Sequence, residues 1–160
     1  AGTVLKPQIL GGGQEWNMRS GTESPANCVG LAQALASAQA IRHDESERLE
    51  QLRQHFIRSL VQKVPKAKLT ATYKHVLPNN LHITIPGYDN ERLMMQLDEV
   101  GIICAVGSAC SASSDEPSHV LTAIGMADKD AQSSLRFTMG RSTTEAEITK
   151  VVDELAKIVE

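Results

Sequence analysis

The stretch SSLRFTMGRSTTEAEITKVVDELAKIVE, residues 133–160, contains both kinds of element that make up the fold. Its first part, SSLRFTMG, places Leu135 and Phe137 on one face of a strand and Arg136 on the other. A T-x-x-E capping box at residues 144–147 then predicts the start of a helix. That helix has one apolar stripe, formed by Ile148, Val151, Val152, Leu155, Ile158 and Val159. A strand followed by an amphipathic helix predicts a sheet that is covered by helices.

Four further segments continue this alternation towards the N-terminus. Each has the apolar pattern of a short strand or a short helix. They are the strand NLHITIPG at 80–87, the helix DNERLMMQLDEVG at 89–101 capped by Asp89 or Asn90, the buried strand IICAV at 102–106, and the helix EPSHVLTAIG at 116–125 ended by Gly125. The alternation predicts the α/β class, with a small sheet covered by helices.

The first half of the chain predicts one strand and two helical stretches. VLKPQIL at 4–10 has the composition of an edge strand, because its proline cannot donate to a ladder. Ser24 and Pro25 are typical of a helix start. The helix is alanine-rich at first and then becomes charged and amphipathic. This change predicts a domain boundary or hinge between a first segment, 1–43, and a second, 44–160.

Composition and charge exclude several classes of protein. The 160 residues are 41% hydrophobic and 22% charged, which is ordinary for a globular protein. A formal net charge of -3 without a block of like charges argues against nucleic acid as a direct partner. No apolar stretch approaches the ~20 residues that cross a bilayer, so we expect no membrane contact and a cytoplasmic location. The chain begins with Ala1, and we expect it to be part of a longer protein.

Three cysteines are the first candidates for chemistry. Their spacing fits neither a disulfide framework nor a paired metal site. We expect Cys28, within a helix, and Cys104, within IICAV, to be buried as small hydrophobic residues. Cys110 lies in GSACSASSDEP, residues 107–117, whose small and polar residues provide no core. It is therefore a candidate for a reactive thiol, although the pattern alone leaves a structural role open.

Two further places are candidates for anion binding. Arg136 either lies on the exposed face of its strand or points into a cleft and binds a carboxylate with its planar fork. GGGQEWNMRSGT, residues 11–22, precedes a helix N-terminus, where anions bind readily, but it has neither a GxGxxG nor a Walker pattern. The histidines are scattered and predict no metal site. Among them, His82 is interpreted as a structural or surface residue of its strand.

Three stretches together resemble the C-terminal part of the cysteine desulfurases, pyridoxal-phosphate (PLP) enzymes of the class-V aminotransferase family that take sulfur from L-cysteine. They are GGGQE with RSGT, LPNNLHITIPG with LMMQLDEVGI, and GSACSASSDEPSHVLTAIG with SSLRFTMGRSTTEAEI. The GSAC form is similar to the NifS-like and IscS-like branch. The resemblance implies a segment of a fold-type I PLP-dependent transferase. Residues 1–43 would be the terminal strand and helix of its large domain, and 44–160 its small C-terminal domain with the catalytic-cysteine loop.

The resemblance also implies roles for individual residues. Cys110 matches the catalytic cysteine, whose thiolate takes the sulfur of the PLP-bound substrate and becomes a persulfide. Arg136 matches the arginine that holds the substrate carboxylate. Thr22 matches the residue that reaches the PLP phosphate of the other subunit, and Gly21 lets the backbone approach closely, so a homodimer is implied. The further implied partner is a sulfur-acceptor or scaffold protein of iron–sulfur cluster assembly or tRNA thiolation.

The resemblance implies a fragment, because the lysine that binds PLP is missing. In the family it lies in a Ser-x-His-Lys context, which none of the eight lysines here has. We therefore expect the isolated chain to be inactive as a desulfurase. Two alternatives stay open, namely a stand-alone persulfide carrier or interaction module that uses Cys110, and a related PLP lyase or aminotransferase. Trp16 and Asn17 depart from the polar or basic residues expected in this loop.

Overall fold

The computed structural model describes residues 2–70, 76–107 and 117–160. By its internal contacts the chain divides into two compact units, Ala1–Arg42 and His43–Glu160. The helices are α1 (Pro25–Lys63), α2 (Asn90–Glu99), α3 (His119–Ala123), α4 (Asp128–Ala131) and α5 (Glu145–Val159). The strands are β1 (Lys68–Leu69), β2 (Asn80–Thr84), β3 (Ala105–Val106) and β4 (Ser134–Thr138). Within these described ranges, no helix combines the length and the apolar character needed to span a membrane.

The strands form one antiparallel sheet in the order β1-β2-β4-β3. The central strands β2 and β4 pair over their whole length, from Asn80 opposite Thr138 to Thr84 opposite Ser134. The edge strands are much shorter, with two residues each. The register of the sheet is therefore determined mainly by the β2–β4 pair.

One face of the sheet packs against the C-terminal half of α1, against α2 and against α5. Phe56 of α1 and Phe137 of β4 meet edge to face at the centre, with ring centroids 5.3 Å apart. The same cluster contains side chains that are almost completely buried: Leu60, Ile83, Ile85, Leu93, Leu97, Leu135, Val152 and Leu155. Burial of apolar surface contributes about 25 cal/mol per Å². This face is therefore the main source of stability for the unit His43–Glu160.

Several element ends confirm the sequence analysis. The capping box is formed, because the Thr144 side chain accepts from the Glu147 N–H at 3.3 Å and the Thr144 N–H donates to Glu147 Oε2 at 2.8 Å. Asp89 caps α2 by accepting from the Arg92 N–H at 2.8 Å. Gly125 follows α3 with a φ of 84°, a left-handed conformation that glycine adopts without steric cost. The predicted α/β class, with helices covering a small sheet, is confirmed.

Two strand predictions were wrong. Residues 4–10 form no strand, and Val4 and Leu10 are exposed. A strand requires neighbours for its backbone N–H and C=O groups, whereas here the Ser20 N–H donates to the Ile9 carbonyl in a loop. The segment IICAV contributes only its last two residues to β3. Before them, Ile102 packs into the core and Ile103 faces solvent.

Two features of the helices go beyond the sequence analysis. A single helix, α1, covers both helical stretches and extends through residues 43 and 44, where a domain boundary or hinge was expected. The sequence has no glycine or proline from Leu31 to Val64, so nothing in the backbone forces a break. The short helix α4 was not predicted. Assigning the two units to two domains of the family stays a prediction.

Removing the ring of Phe56 should destabilise the protein strongly. Phe56 is 2% exposed, so Phe56→Ala loses apolar burial and leaves a cavity beside Phe137, and we expect a loss of about 3–5 kcal/mol. Val61→Ala is the matched control on the same helix, because Val61 is 59% exposed and should change stability by less than about 0.5 kcal/mol. Urea unfolding of both variants measures the difference, and equal losses would contradict this assignment of the core.

Candidate functional site

The second face of the sheet is polar. Side chains alternate along a strand, so the residues between the buried Leu81, Ile83, Leu135 and Phe137 lie on the opposite face. That face carries Asn80, His82 and Thr84 from β2, and Ser134, Arg136 and Thr138 from β4. The predicted alternation of Arg136 with Leu135 and Phe137 is confirmed.

One end of this polar face is closed by hydrogen bonds. Thr84 Oγ1 and Ser134 Oγ lie 2.9 Å apart, and both residues are buried. The Ser134 hydroxyl also donates to the Asp130 carbonyl of α4 at 2.6 Å. The amide of Asn90 donates to the Ala131 carbonyl at 3.3 Å and to the Ser134 carbonyl at 3.2 Å. α4 and the start of α2 therefore cover this end and satisfy its polar groups.

The other end of the face presents Arg136 to solvent. Arg136 lies opposite His82 on β2 and opposite Ala105 on β3, and it is exposed. Within residues 2–70, 76–107 and 117–160, no carboxylate forms an ion pair with it. A guanidinium on an open sheet face, with no counter-ion among the described residues, is suited to binding an external carboxylate in a bidentate geometry.

His82 is the titratable neighbour of Arg136. Its Nδ1 lies 2.7 Å from Thr70 Oγ1, which fixes one edge of the imidazole ring. Burial, and secondly the positive charge of Arg136, hold the pKa of His82 below its ordinary value. The ring is therefore neutral at neutral pH, and Arg136 is the charged member of the pair.

Cys110 lies outside the described residues, so its predicted position cannot be compared with the structure. The residues that flank its segment are described. β3, which precedes it, pairs with Arg136 through Ala105, five residues before Cys110 in the sequence. A β-carbon built on Gly107 would lie 3.9 Å from that of Ser118, so the chain leaves and re-enters the described structure at neighbouring points.

Gly21 and Thr22 lie in the unit Ala1–Arg42, and Arg136 lies in the unit His43–Glu160. The φ of Gly21 is 121°, and its N–H donates to Gln14 Oε1 at 3.2 Å. Thr22 is exposed and precedes the first residue of α1 by three positions. The loop is closed by the Gly13 N–H, which donates to Ser20 Oγ at 3.4 Å.

The unexpected residues Trp16 and Asn17 form a left-handed turn. The φ angles of Glu15, Trp16 and Asn17 are 47°, 51° and 60°, a region that non-glycine residues adopt at a cost. The turn is closed by the Asn17 N–H, which donates to the Gly13 carbonyl at 3.1 Å. Asparagine tolerates this conformation better than most residues, which accounts for its place at the end of the turn.

The other two cysteines differ from each other. Cys28 is exposed, so the prediction of burial was wrong for it. Cys104 is half-buried and packs against the core. Burial, and secondly the Asp98 carboxylate, raise the pKa of Cys104 to about 11. Cys104 is therefore a poor nucleophile, as expected for a structural cysteine.

Comparison with known proteins identifies the family. The model of the family "Aminotransferase class-V" matches residues 5–151, which is most of the chain. The chain belongs to this family. It is 39% identical over 159 residues to the cysteine desulfurase IscS of Dictyoglomus turgidum, and 38% identical over 160 residues to that of Clostridium botulinum. Both alignments cover 99% of this chain but 40% of the relative, so the chain spans about two fifths of the length of these curated relatives.

Solved structures of the same kind match the fold. The NifS-like protein of Rickettsia africae superposes with a TM-score of 0.80 and 27% identity, covering 96% of this chain and 39% of that protein. A structure of SspA in complex with cysteine matches with a TM-score of 0.53 and 29% identity, over 84% of this chain and 35% of that one. These relatives confirm the resemblance to the cysteine desulfurases and the fold class that it implied.

Sequence reasoning missed that His82 lies beside Arg136 and contacts Thr70. The period-2 pattern of NLHITIPG already places His82 on the face away from Leu81 and Ile83. The pattern cannot indicate which residue of which strand lies opposite His82. That requires the register between β2 and β4, which are separated by α2, β3, α3 and α4 in the chain.

The two described cysteines should react with alkylating agents at very different rates. A pKa of about 11 leaves Cys104 with about a hundredfold less thiolate than an ordinary thiol near pKa 9, and burial slows access further. In a Cys110→Ala background, iodoacetamide should label Cys28 at least about a hundredfold faster than Cys104. Peptide mass spectrometry over time measures both rates. Similar rates in the folded protein would contradict the assigned environments, and labelling in urea, where the rates should converge, is the control.

Proposed function

We propose that this chain is the part of a PLP-dependent cysteine desulfurase that binds the substrate carboxylate and takes up the sulfur. The overall reaction converts L-cysteine and an acceptor thiol to L-alanine and a persulfide. The observation that carries the proposal is the exposed Arg136, without an ion-pair partner among the described residues, on the strand that pairs with β3. β3 leads directly into the segment that contains Cys110.

Each residue has a distinct task in this proposal. The Arg136 guanidinium binds and orients the carboxylate of L-cysteine through two parallel N–H donors. The thiolate of Cys110 accepts the sulfur and carries it as a persulfide to an acceptor thiol. The small residues around Cys110 suit this second task, because a thiol that delivers sulfur has to move between two partners.

The loop before α1 fits a phosphate group. Thr22 offers an exposed hydroxyl, and the N-terminus of α1 offers backbone N–H groups and a favourable dipole nearby. Gly21 has a left-handed φ, and a β-carbon there would lie 2.5 Å from Arg19 Nη1, so a side chain would crowd the loop. We propose that Thr22 and Gly21 hold the phosphate of PLP, contributed to the partner subunit of a homodimer. When bound, PLP supplies an electron sink for the reacting amino acid.

In the family, the lysine that binds PLP covalently lies in a Ser-x-His-Lys context. None of the lysines in these 160 residues has that context. We therefore propose that the reaction requires further polypeptide, in agreement with the two-fifths coverage of the relatives. The persulfide sulfur is delivered to an acceptor or scaffold protein of iron–sulfur cluster assembly or tRNA thiolation. The proposed location is the cytoplasm.

A chimera tests the desulfurase proposal directly. Replacing the matched 159 residues of the Dictyoglomus turgidum IscS by this chain should give an enzyme that forms L-alanine from L-cysteine. Cys110→Ala should reduce alanine formation by at least about a hundredfold, because no other positioned thiol accepts the sulfur. Cys28→Ala is the matched control and should retain the rate. An undiminished rate in the Cys110→Ala chimera would favour a related lyase or aminotransferase instead.

The isolated chain should form no L-alanine. With PLP and L-cysteine, the 160-residue protein lacks the amine that anchors the cofactor, so alanine should stay at the level of the protein-free control. Chromatographic amino-acid analysis measures the product. Catalytic production of alanine by the isolated chain would contradict this prediction.

A second candidate function is that of a persulfide carrier. Cys110 lies among small and polar residues, as a reactive thiol would, and no lysine has the context of the PLP-binding lysine. After incubation with a persulfide donor and removal of the excess, Cys110 should carry one additional sulfur, detected by peptide mass spectrometry. Cys104 is the internal control, because its raised pKa disfavours the thiolate that attacks the donor. A chain that acquires no sulfur on Cys110 is not a carrier.

A further inference from the structure

Four residues form one row across the polar face of the sheet. The Thr70 N–H donates to the His82 carbonyl at 3.1 Å, so Thr70 continues β1 opposite His82. His82 lies opposite Arg136, and Arg136 lies opposite Ala105. Directly opposite side chains on one face are about 5 Å apart at their β-carbons. His82 and Arg136 therefore lie side by side, with the small Ala105 leaving space on the far side of Arg136.

A chain of hydroxyl groups ends at His82 and favours the proton on its Nδ1. The Asp130 carbonyl can only accept, so the Ser134 hydroxyl uses its single proton in the 2.6 Å bond to it. Ser134 Oγ must then accept from Thr84 Oγ1 at 2.9 Å. Thr84 Oγ1 has no second proton, so the Thr70 hydroxyl, 3.4 Å away, is the donor of that contact.

The last link of the chain is the 2.7 Å contact between Thr70 Oγ1 and His82 Nδ1. A Thr70 proton that points to Thr84 leaves Nδ1 as the donor of this short contact. In the reverse direction, the 3.4 Å contact between the Thr70 and Thr84 oxygens would not be a hydrogen bond. In the neutral ring, Nε2 therefore keeps its lone pair and is the nitrogen that can take up a proton.

The charges around His82 favour this neutral state. Arg136 of β4 lies directly opposite His82. Lys68 of β1 lies on the same face, opposite Thr84, which is two residues from His82 along β2. From α1, Arg53 lines a small cavity together with His82, and Arg53 is paired with Glu50. Among the described residues that flank His82, the cations Arg136 and Lys68 lie on its own face. An anion bound there would offset their repulsion of a protonated imidazole.

We propose that His82 and Arg136 form a proton-coupled carboxylate site, in which binding of a carboxylate at Arg136 is accompanied by proton uptake from solvent at His82 Nε2. This inference rests on the proposed role of Arg136 in the desulfurase. The imidazolium then adds a second positive charge beside the bound carboxylate, with Nδ1–H still donated to Thr70. When the carboxylate leaves, the repulsion by Arg136 returns and the proton is released.

The sign of the pH dependence follows from linkage. The bound anion stabilises the protonated ring, so the pKa of His82 is higher in the complex than in the free protein. The complex therefore binds more protons, and the affinity for a carboxylate rises as the pH falls through this interval. A carboxylate site made by Arg136 alone would have no pH dependence in this range, because arginine stays protonated.

Nitrogen-15 NMR of the imidazole rings tests the hydroxyl chain in the 160-residue protein. Above its pKa, His82 should show a protonated Nδ1 and an unprotonated Nε2, and His82→Gln assigns its signals. His55 serves as the comparison, because its Nε2 contacts Thr149 Oγ1 at 3.4 Å and it is not part of the row of hydrogen-bonded hydroxyl groups. The opposite tautomer at His82 would overturn the proposal.

A titration with L-lactate tests the coupling. Lactate carries a carboxylate that stays ionised where imidazoles titrate, and methyl lactate is the uncharged control. The pKa of His82 should rise in saturating lactate and stay constant in methyl lactate. Lactate should bind roughly threefold tighter or better one pH unit below the pKa of free His82 than one unit above it. An unchanged His82 pKa in saturating lactate would overturn the proposal.

Two variants separate this inference from the proposed function. Arg136→Gln should raise the pKa of His82 without ligand and remove most lactate binding, whereas the matched Lys68→Gln should have a much smaller effect on both. If Arg136→Gln binds lactate like the wild type, the carboxylate role of Arg136 is wrong, and the inference falls with it. If Arg136→Gln abolishes binding but lactate does not shift the wild-type His82 pKa, only the inference is wrong. The wild-type titration requires no variant to fold.

Discussion

The pairing of β2 with β4 is the constraint on which the rest of the structure depends. Its register places Leu81 opposite Phe137 and Ile83 opposite Leu135, so four apolar side chains face the helices together. The same register places His82 opposite Arg136 on the other face. Because side chains alternate with a period of two, a slip by one residue would bury the cation and expose the core. Stability and the candidate site are therefore determined by one set of backbone hydrogen bonds.

The helices cover one face of this sheet almost completely and leave the other face to polar groups. α1, α2 and α5 bury Phe56, Leu97 and Val152 against the sheet, which removes the apolar side chains of this face from water. On the other face, α4 seals the end with Thr84 and Ser134 through hydrogen bonds. The open end carries Arg136, which forms no ion pair with any described residue and is suited to binding a small anion.

Much of the local structure could be predicted from the sequence, and the errors have physical causes. α5 and β4 follow from their caps and periodicity, because these signals act within a few residues. The strand expected at 4–10 was wrong because apolar composition cannot supply a neighbouring strand. IICAV was read as a five-residue strand, yet Ile103 faces solvent, because an apolar run does not specify which residues pair. The burial expected for Cys28 failed because its helix carries no buried residue before Leu49.

The candidate site was predictable in part. The motifs in the sequence indicated the family, the small-residue setting of Cys110, the missing lysine context and the face of Arg136, because each depends on residue identity or on a short period. The three-dimensional fold was needed to place Arg136 between His82 and Ala105, and to place His82 Nδ1 within hydrogen-bond distance of Thr70 Oγ1. These relations join residues of different strands, and strand register and core packing determine them, whereas local pattern does not.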